Sequence, residues 1–129
     1  MKITNINLFR VVSIMERFKN APFSIKTSYV INKNINNMLK ELEPYNIVIN
    51  SILENYGERN EDGSYQTNEE TGEVYIKKEF SMIVKEKLSE LYNIEVEINI
   101  EPLDYTDIQN ILITPNELEL LTNYNIVTF

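Results

Sequence analysis

Leu8, Val11, Val12, Met15 and Phe18 recur at the three- and four-residue spacing that places side chains on one face of a helix. The pattern predicts a first helix over 6–19, with Thr4 or Asn5 as its N-cap. Asn20-Ala21-Pro22-Phe23 breaks it, and Ser24 can cap a second helix. A connection this short predicts an antiparallel helical hairpin.

The second helix carries the most regular pattern in the chain. Ile35, Leu42, Ile49 and Tyr56 recur every seven residues, accompanied by Ile31, Met38, Tyr45 and Ile52. This two-row seam spans nearly four heptads, enough for roughly 30 residues of helix. Such a seam either packs inside the chain, on the first and third helices, or joins two copies; cover within the chain is the favoured reading. Pro44 lacks an N–H for the carbonyl of Lys40. It either kinks one helix or separates two, and the unbroken heptad phase favours a kink. Gly57 ends the helix after Tyr56.

Beyond it, Asp62-Gly63 and Thr71-Gly72 are tight-turn signals bounding short strands at 64–67 and 74–76. A third helix is expected over 78–92, with Phe80, Ile83, Val84, Leu88 and Leu91 on its apolar face. Ile94, Val96, Ile98 and Ile100 then alternate with Glu95, Glu97, Asn99 and Glu101, the period-two pattern of a half-exposed strand. Pro102 stops it. A short helix is expected near 106–112. Thr114-Pro115-Asn116-Glu117 reads as a capping box with proline at the first helical position, and 126–129 as an edge strand. The fold class is therefore α+β, a single domain over 1–129. It comprises a helical hairpin over 1–57, with a long kinked second helix, and an acidic α+β part over 58–129 holding a small antiparallel β element and a third helix.

Charge adds a polarity to this plan. The 129 residues carry a net charge of −8. Residues 1–56 hold seven Lys/Arg against four Asp/Glu, whereas 57–129 hold five against sixteen. Direct nucleic-acid binding by phosphate neutralisation is not expected of such a chain. An acidic surface keeps a protein soluble, or docks on a basic partner. No window approaches the roughly 18 apolar residues of a membrane span. The N-terminus lacks the basic and apolar runs of a secretion signal, so the cytoplasm is expected.

Cysteine and histidine are both absent. Ser-His-Asp and Cys-His nucleophile systems, and metal sites built on Cys or His, are thus excluded from this chain. Only carboxylates, Lys, Tyr and Ser remain for acid–base work, which makes a carboxylate-based enzyme the weakest reading. No catalytic residue, cofactor or metal site is assigned.

Three clusters carry candidate chemistry. Glu58-Arg59-Asn60-Glu61-Asp62-Gly63, with Glu69 beyond, mimics the ligand spacing of a calcium loop. The motif requires a following helix, but Glu70-Thr71-Gly72-Glu73 is a turn, so an acidic hairpin is the better account. Glu95, Glu97 and Glu101 form an acidic row that suits a basic partner or an ordinary solvated strand face. Arg10, Arg17, Lys19, Lys26 and Lys33 span the first two helices. If these helices pair, several of the five gather near the Pro22 turn as a small anion site; helix solubilisation is the plainer reading. The candidate partner-binding residues are Arg10, Arg17, Lys26, Lys33, Glu95, Glu97 and Glu101.

The order of short motifs is also informative. Pro22 precedes Lys26-Thr27-x-Tyr29 at the opening of the long helix, which holds Leu42-x-Pro44-Tyr45 and ends in Tyr56-Gly57-Glu58. Asp62-Gly63, Glu95-Val96-Glu97-Ile98 and Thr114-Pro115-x-Glu117-Leu118 follow. This succession resembles a group of small uncharacterised proteins encoded by tailed phages and prophages of low-GC bacteria. The tail over 123–129 departs from that pattern. The group has no settled activity, so no functional residue carries over. The resemblance implies a gene product acting in the cytoplasm of the bacterial host. Two functions are compatible with it: a non-catalytic accessory protein that engages a host or defence protein or sequesters a small ligand, and a virion structural or assembly component that self-associates through the second helix.

Overall fold

The computed structural model describes residues 1–129 as an α+β chain that opens with a helical hairpin. In chain order the elements are β1 (Lys2–Thr4), α1 (Asn5–Glu16), α2 (Ile25–Tyr56), α3 (Ser81–Tyr92), β2 (Glu95–Glu97), β3 (Leu103–Asp104), α4 (Pro115–Asn123) and β4 (Val127–Thr128). The chain divides into two compact units, Met1–Leu42 with Ile94–Phe129, and Glu43–Asn93. One boundary falls inside α2, just before Pro44, and the charge boundary at 56/57 lies within the second unit.

In the first unit, α1 begins where Thr4 stops being extended. The Thr4 hydroxyl accepts the Asn7 N–H at 3.4 Å, so Thr4 is the N-cap and Asn5 the first helical residue. The expected stripe of Leu8, Val11, Val12, Met15 and Phe18 is wholly buried. The α-helix ends at Glu16, earlier than its periodicity suggests, and a 3-10 turn over Arg17–Asn20 keeps Phe18 inside. Ser24 then accepts the Thr27 N–H and opens α2.

Helix α2 runs for 32 residues without a break at Pro44. One helix, not two, therefore carries the seam. Ile31, Ile35, Met38 and Leu42 are buried in the first unit. Asn34, fully buried beside them, donates to the Glu101 carbonyl at 2.8 Å and accepts the Glu101 N–H at 2.9 Å. This two-way bond ties the segment after β2 to the helix.

The strand pattern at 94–100 is only partly realised. Only Glu95–Glu97 is a strand, and it pairs antiparallel with β1, a strand the sequence reading did not anticipate. Lys2 faces Glu97, Ile3 faces Val96 and Thr4 faces Glu95. The ladder is short because its partner is short. At one end α1 begins at Asn5, whose N–H donates to the Ile94 carbonyl; at the other, Ile98 donates to the carbonyl of Met1. Ile94, expected in the core, is half exposed; Val96 and Ile100 are partly covered and Ile98 is buried.

The C-terminal segment completes this unit. The helix expected near 106–112 is a single 3-10 turn over Tyr105–Ile108, opened by Asp104 accepting the Thr106 N–H. The capping box of α4 forms as predicted. Thr114 accepts from the Glu117 N–H, and the Glu117 carboxylate accepts from the Thr114 N–H. Asn125 adopts φ +55°, a conformation that asparagine tolerates better than most residues. The chain thereby turns into β4, which pairs parallel with β3.

The second unit holds 43–56 of α2, a hairpin-like loop, and α3. The two strands expected in the loop are reduced to isolated bridges, Gly57 with Ile76, Arg59 with Tyr65 and Thr67 with Val74. Three segments close into a ring instead: Glu58 donates to the Tyr75 carbonyl, Tyr75 to that of Gln66, and Gln66 to that of Glu58. Each segment thus bonds to two neighbours without a long ladder. Gly57 has a steric role here, because an added Cβ would lie 2.5 Å from the Leu53 carbonyl oxygen. Gly63 turns the tip with φ +88°.

The third predicted helix is a 3-10 turn over Lys78–Phe80 followed by α3. Val84 and Leu91 are buried and Leu88 is partly covered, whereas Ile83 is exposed, contrary to expectation. Positions 84, 88 and 91 define the stripe, and 83 lies about 100° off it. Ring contacts of Tyr45 with Tyr92, and of Tyr56 with Phe80, align α3 antiparallel to this part of α2.

Candidate functional site

The Pro22 turn does not gather the basic cluster. Arg17 pairs with Glu117, and Lys19 with Glu16 at 3.2 Å. One depression beside the turn, about 430 Å³, is lined by Pro22, Phe23, Ser24, Thr106, Asp107, Gln109 and Asn110, with no Lys or Arg, and a second, about 240 Å³, has Lys19 as its one basic residue. Lys26 and Lys33 are exposed on α2, where Lys33 borders a shallow hollow with Tyr29 and Asn36. The acidic row is also divided. Glu95 and Glu97 are exposed on β2, and Glu97 binds the N-terminal ammonium at 3.0 Å. Glu101 lies past the strand, where Asn34 holds its backbone. The calcium-like segment is a turn: Asp62 accepts from the Ser64 N–H and hydroxyl, and no helical turn begins before Lys78. Arg59 lies over the Tyr65 ring, 4.3 Å from its centre, and donates to the Gly63 carbonyl.

A different arrangement forms between α1 and α4. Two polar contacts pin these helices antiparallel, Asn7 donating to the Tyr124 hydroxyl at 2.7 Å and Arg17 donating to Glu117. Between the pins runs a groove of about 440 Å³, lined by Phe9, Arg10, Ser13, Ile14, Asn116, Glu117 and Leu120. Its floor is apolar. Its two charged groups have different circumstances. Glu117 is held ionised with its pKa lowered to about 2, chiefly by the Arg17 guanidinium and then by the Thr114 N–H. Arg10 has no carboxylate within ion-pair distance.

The carboxyl groups whose pKa is displaced, Asp62, Asp104 and Glu117, are all displaced downward by hydrogen bonds to the charged form. A general acid at neutral pH requires the opposite displacement. Burial, with Tyr92 alongside, pushes the Tyr45 phenol up, so it stays protonated.

Arg10 and Arg17 were visible in the sequence as basic residues, but the groove was not. Its opposite wall comes from α4, about 100 positions along the chain. Asn34 and Thr27, both buried, lie seven residues apart beside the seam. That spacing signals a shared face, though not the chain that meets it.

No helix is long and apolar enough to cross a membrane. Comparison with protein-family models, with curated proteins and with solved structures found no match.

Proposed function

We propose that this chain is a non-catalytic accessory binding protein of phage type, which engages a host or defence protein through the acidic second unit. The observation that carries this reading is the imbalance of apolar surface in Glu43–Asn93. Four of its apolar side chains are buried, Tyr45, Ile52, Val84 and Leu91, while Ile47, Val48, Tyr75, Met82 and Ile83 stand exposed. Side chains of this kind supply the apolar contact area at the centre of a protein-docking surface. The unit carries eleven Asp/Glu against five Lys/Arg, so a partner with Lys and Arg around an apolar contact fits it better than a second acidic copy. The absence of His and Cys supports a non-catalytic role.

The test is pull-down from a low-GC bacterial lysate followed by native mass spectrometry, comparing the native chain with an Ile47→Asp/Met82→Asp double variant. Both positions are exposed, so folding should survive, which circular dichroism checks. A stoichiometric partner lost from the variant is the expected result. Identical retention by both chains, or no retained protein, would overturn the reading. The alternative, a virion component joined through α2, predicts mass rising with concentration. Because Ile31, Ile35, Met38, Leu42, Tyr45 and Ile52 are covered within the chain, that assembly would have to use the outer face of α2.

A further inference from the structure

We infer that the groove between α1 and α4 binds a small amphipathic anion, an apolar body carrying one carboxylate or phosphate, with Arg10 as the anion-binding residue. The inference stands apart from the second unit, since every residue concerned lies in the first. The groove's volume of about 440 Å³ falls within the range of small-ligand sites, roughly 300–1,000 Å³. Phe9 and Leu120 offer apolar surface to a ligand, and Ile14 beneath them is almost wholly buried.

Sign selection follows from how the charges are partnered. One Glu117 oxygen accepts from Arg17 and the other from the Thr114 N–H, so its charge is compensated by a partner within the protein. Arg10 has no such compensation. Its guanidinium presents a planar fork suited to two oxygens of a carboxylate or phosphate. Ser13 donates its hydroxyl to the Phe9 carbonyl within α1, while the Asn116 amide at the opposite rim can donate to a bound head group. A neutral ligand of the same shape would leave the Arg10 charge unanswered and would bind less well.

The probes are octanoate, octyl phosphate and neutral octanol, each titrated into the full ¹⁵N-labelled chain and followed by amide chemical shifts. Saturable shifts centred on Arg10, Ser13, Asn116 and Leu120 are expected for at least one anionic probe, at least tenfold tighter than for octanol. Whichever of the two anions binds more tightly identifies the head group. Arg10→Ala should weaken the better anion at least tenfold while leaving the octanol affinity unchanged, and Arg10→Lys should recover part of the loss. Lys40→Ala, on exposed α2 surface outside the groove, should leave all three affinities unchanged. Equal affinity for octanol and both anions, shifts centred elsewhere, no saturable binding, or anion binding indifferent to Arg10→Ala would each overturn the inference. None of these outcomes depends on a protein partner, so this site and the docking surface of the second unit stand or fall separately.

Discussion

The two units use the same kinds of residue to different ends. Met1–Leu42 with Ile94–Phe129 buries eighteen large apolar side chains and exposes seven; Glu43–Asn93 buries four and exposes five. The first unit folds helices and two small sheets around Leu8, Met15, Phe18, Ile35, Met38, Leu121 and Ile126, all almost without exposure. The second has two antiparallel helical segments and a ring of backbone hydrogen bonds, with no further layer supplied by its own residues. Burial removes about 25 cal/mol of unfavourable hydration per Å² of apolar surface, so the first unit dominates stability. The second retains apolar surface in water, which suits a surface that meets another molecule.

The most severe test of this contrast is a cavity in the first core. Met38→Ala, at a position with no exposure, should lower the unfolding free energy by about 2–5 kcal/mol in urea titrations. A loss under about 1 kcal/mol would remove the claim that this core dominates.

Native-state hydrogen exchange examines the other side. Amides of α3 should exchange through local opening, at a lower free energy than those of α1. Equal protection of the two helices would break the comparison. Asn34→Ala should cost about 1–3 kcal/mol, because it orphans the Glu101 N–H and carbonyl in a partly covered position. Its signature is loss of exchange protection at Glu101, with the amides of α3 unchanged. Thr114→Ala removes the reciprocal cap of α4 and should cost about 1 kcal/mol.

Acid titration sharpens the role of Glu117. Its folded pKa of about 2 lies below its ordinary value of 4.5, so its contribution is present in full above pH 4.5 and is lost as pH falls toward 2. Glu117→Gln should therefore flatten the dependence of stability on pH between 4.5 and 2, measured by denaturation at stepped pH. An unchanged acid limb would mean that the Arg17 pair is not maintained in solution. The smallest effect is expected from Met82→Ser, at 80% exposure, which should change stability by less than about 0.5 kcal/mol. A larger loss would show that Met82 is covered in solution.

Elements whose causes are local were legible in the chain. The capping box at Thr114, the turns at Gly63 and Gly72, the stripe of α1 and the heptads of α2 all arise from interactions within a few residues or from simple periodicity. The strand over 94–100 was read too long because alternation reports a preference. The extent of pairing depends on a partner nearly 100 residues away. The same limit hid β1, whose three residues look unremarkable until Glu95–Glu97 lies beside them. The same limit applies to the basic cluster, for which solubilisation was the plainer reading and an anion site at Pro22 the sharper one: α4 supplies the carboxylate that pairs with Arg17 and leaves Arg10 in a groove.

By itself, then, the sequence determined the four α-helices to within a turn, the caps of α2 and α4, the α+β class and the absence of His- and Cys-based chemistry. These follow from backbone propensity, side-chain periodicity and composition, which need no knowledge of distant contacts. Only the tertiary structure decided which apolar faces are covered, which charges are answered and where a groove opens. Those outcomes depend on which segments meet in space, and a period of seven or two carries no information about the surface it will meet.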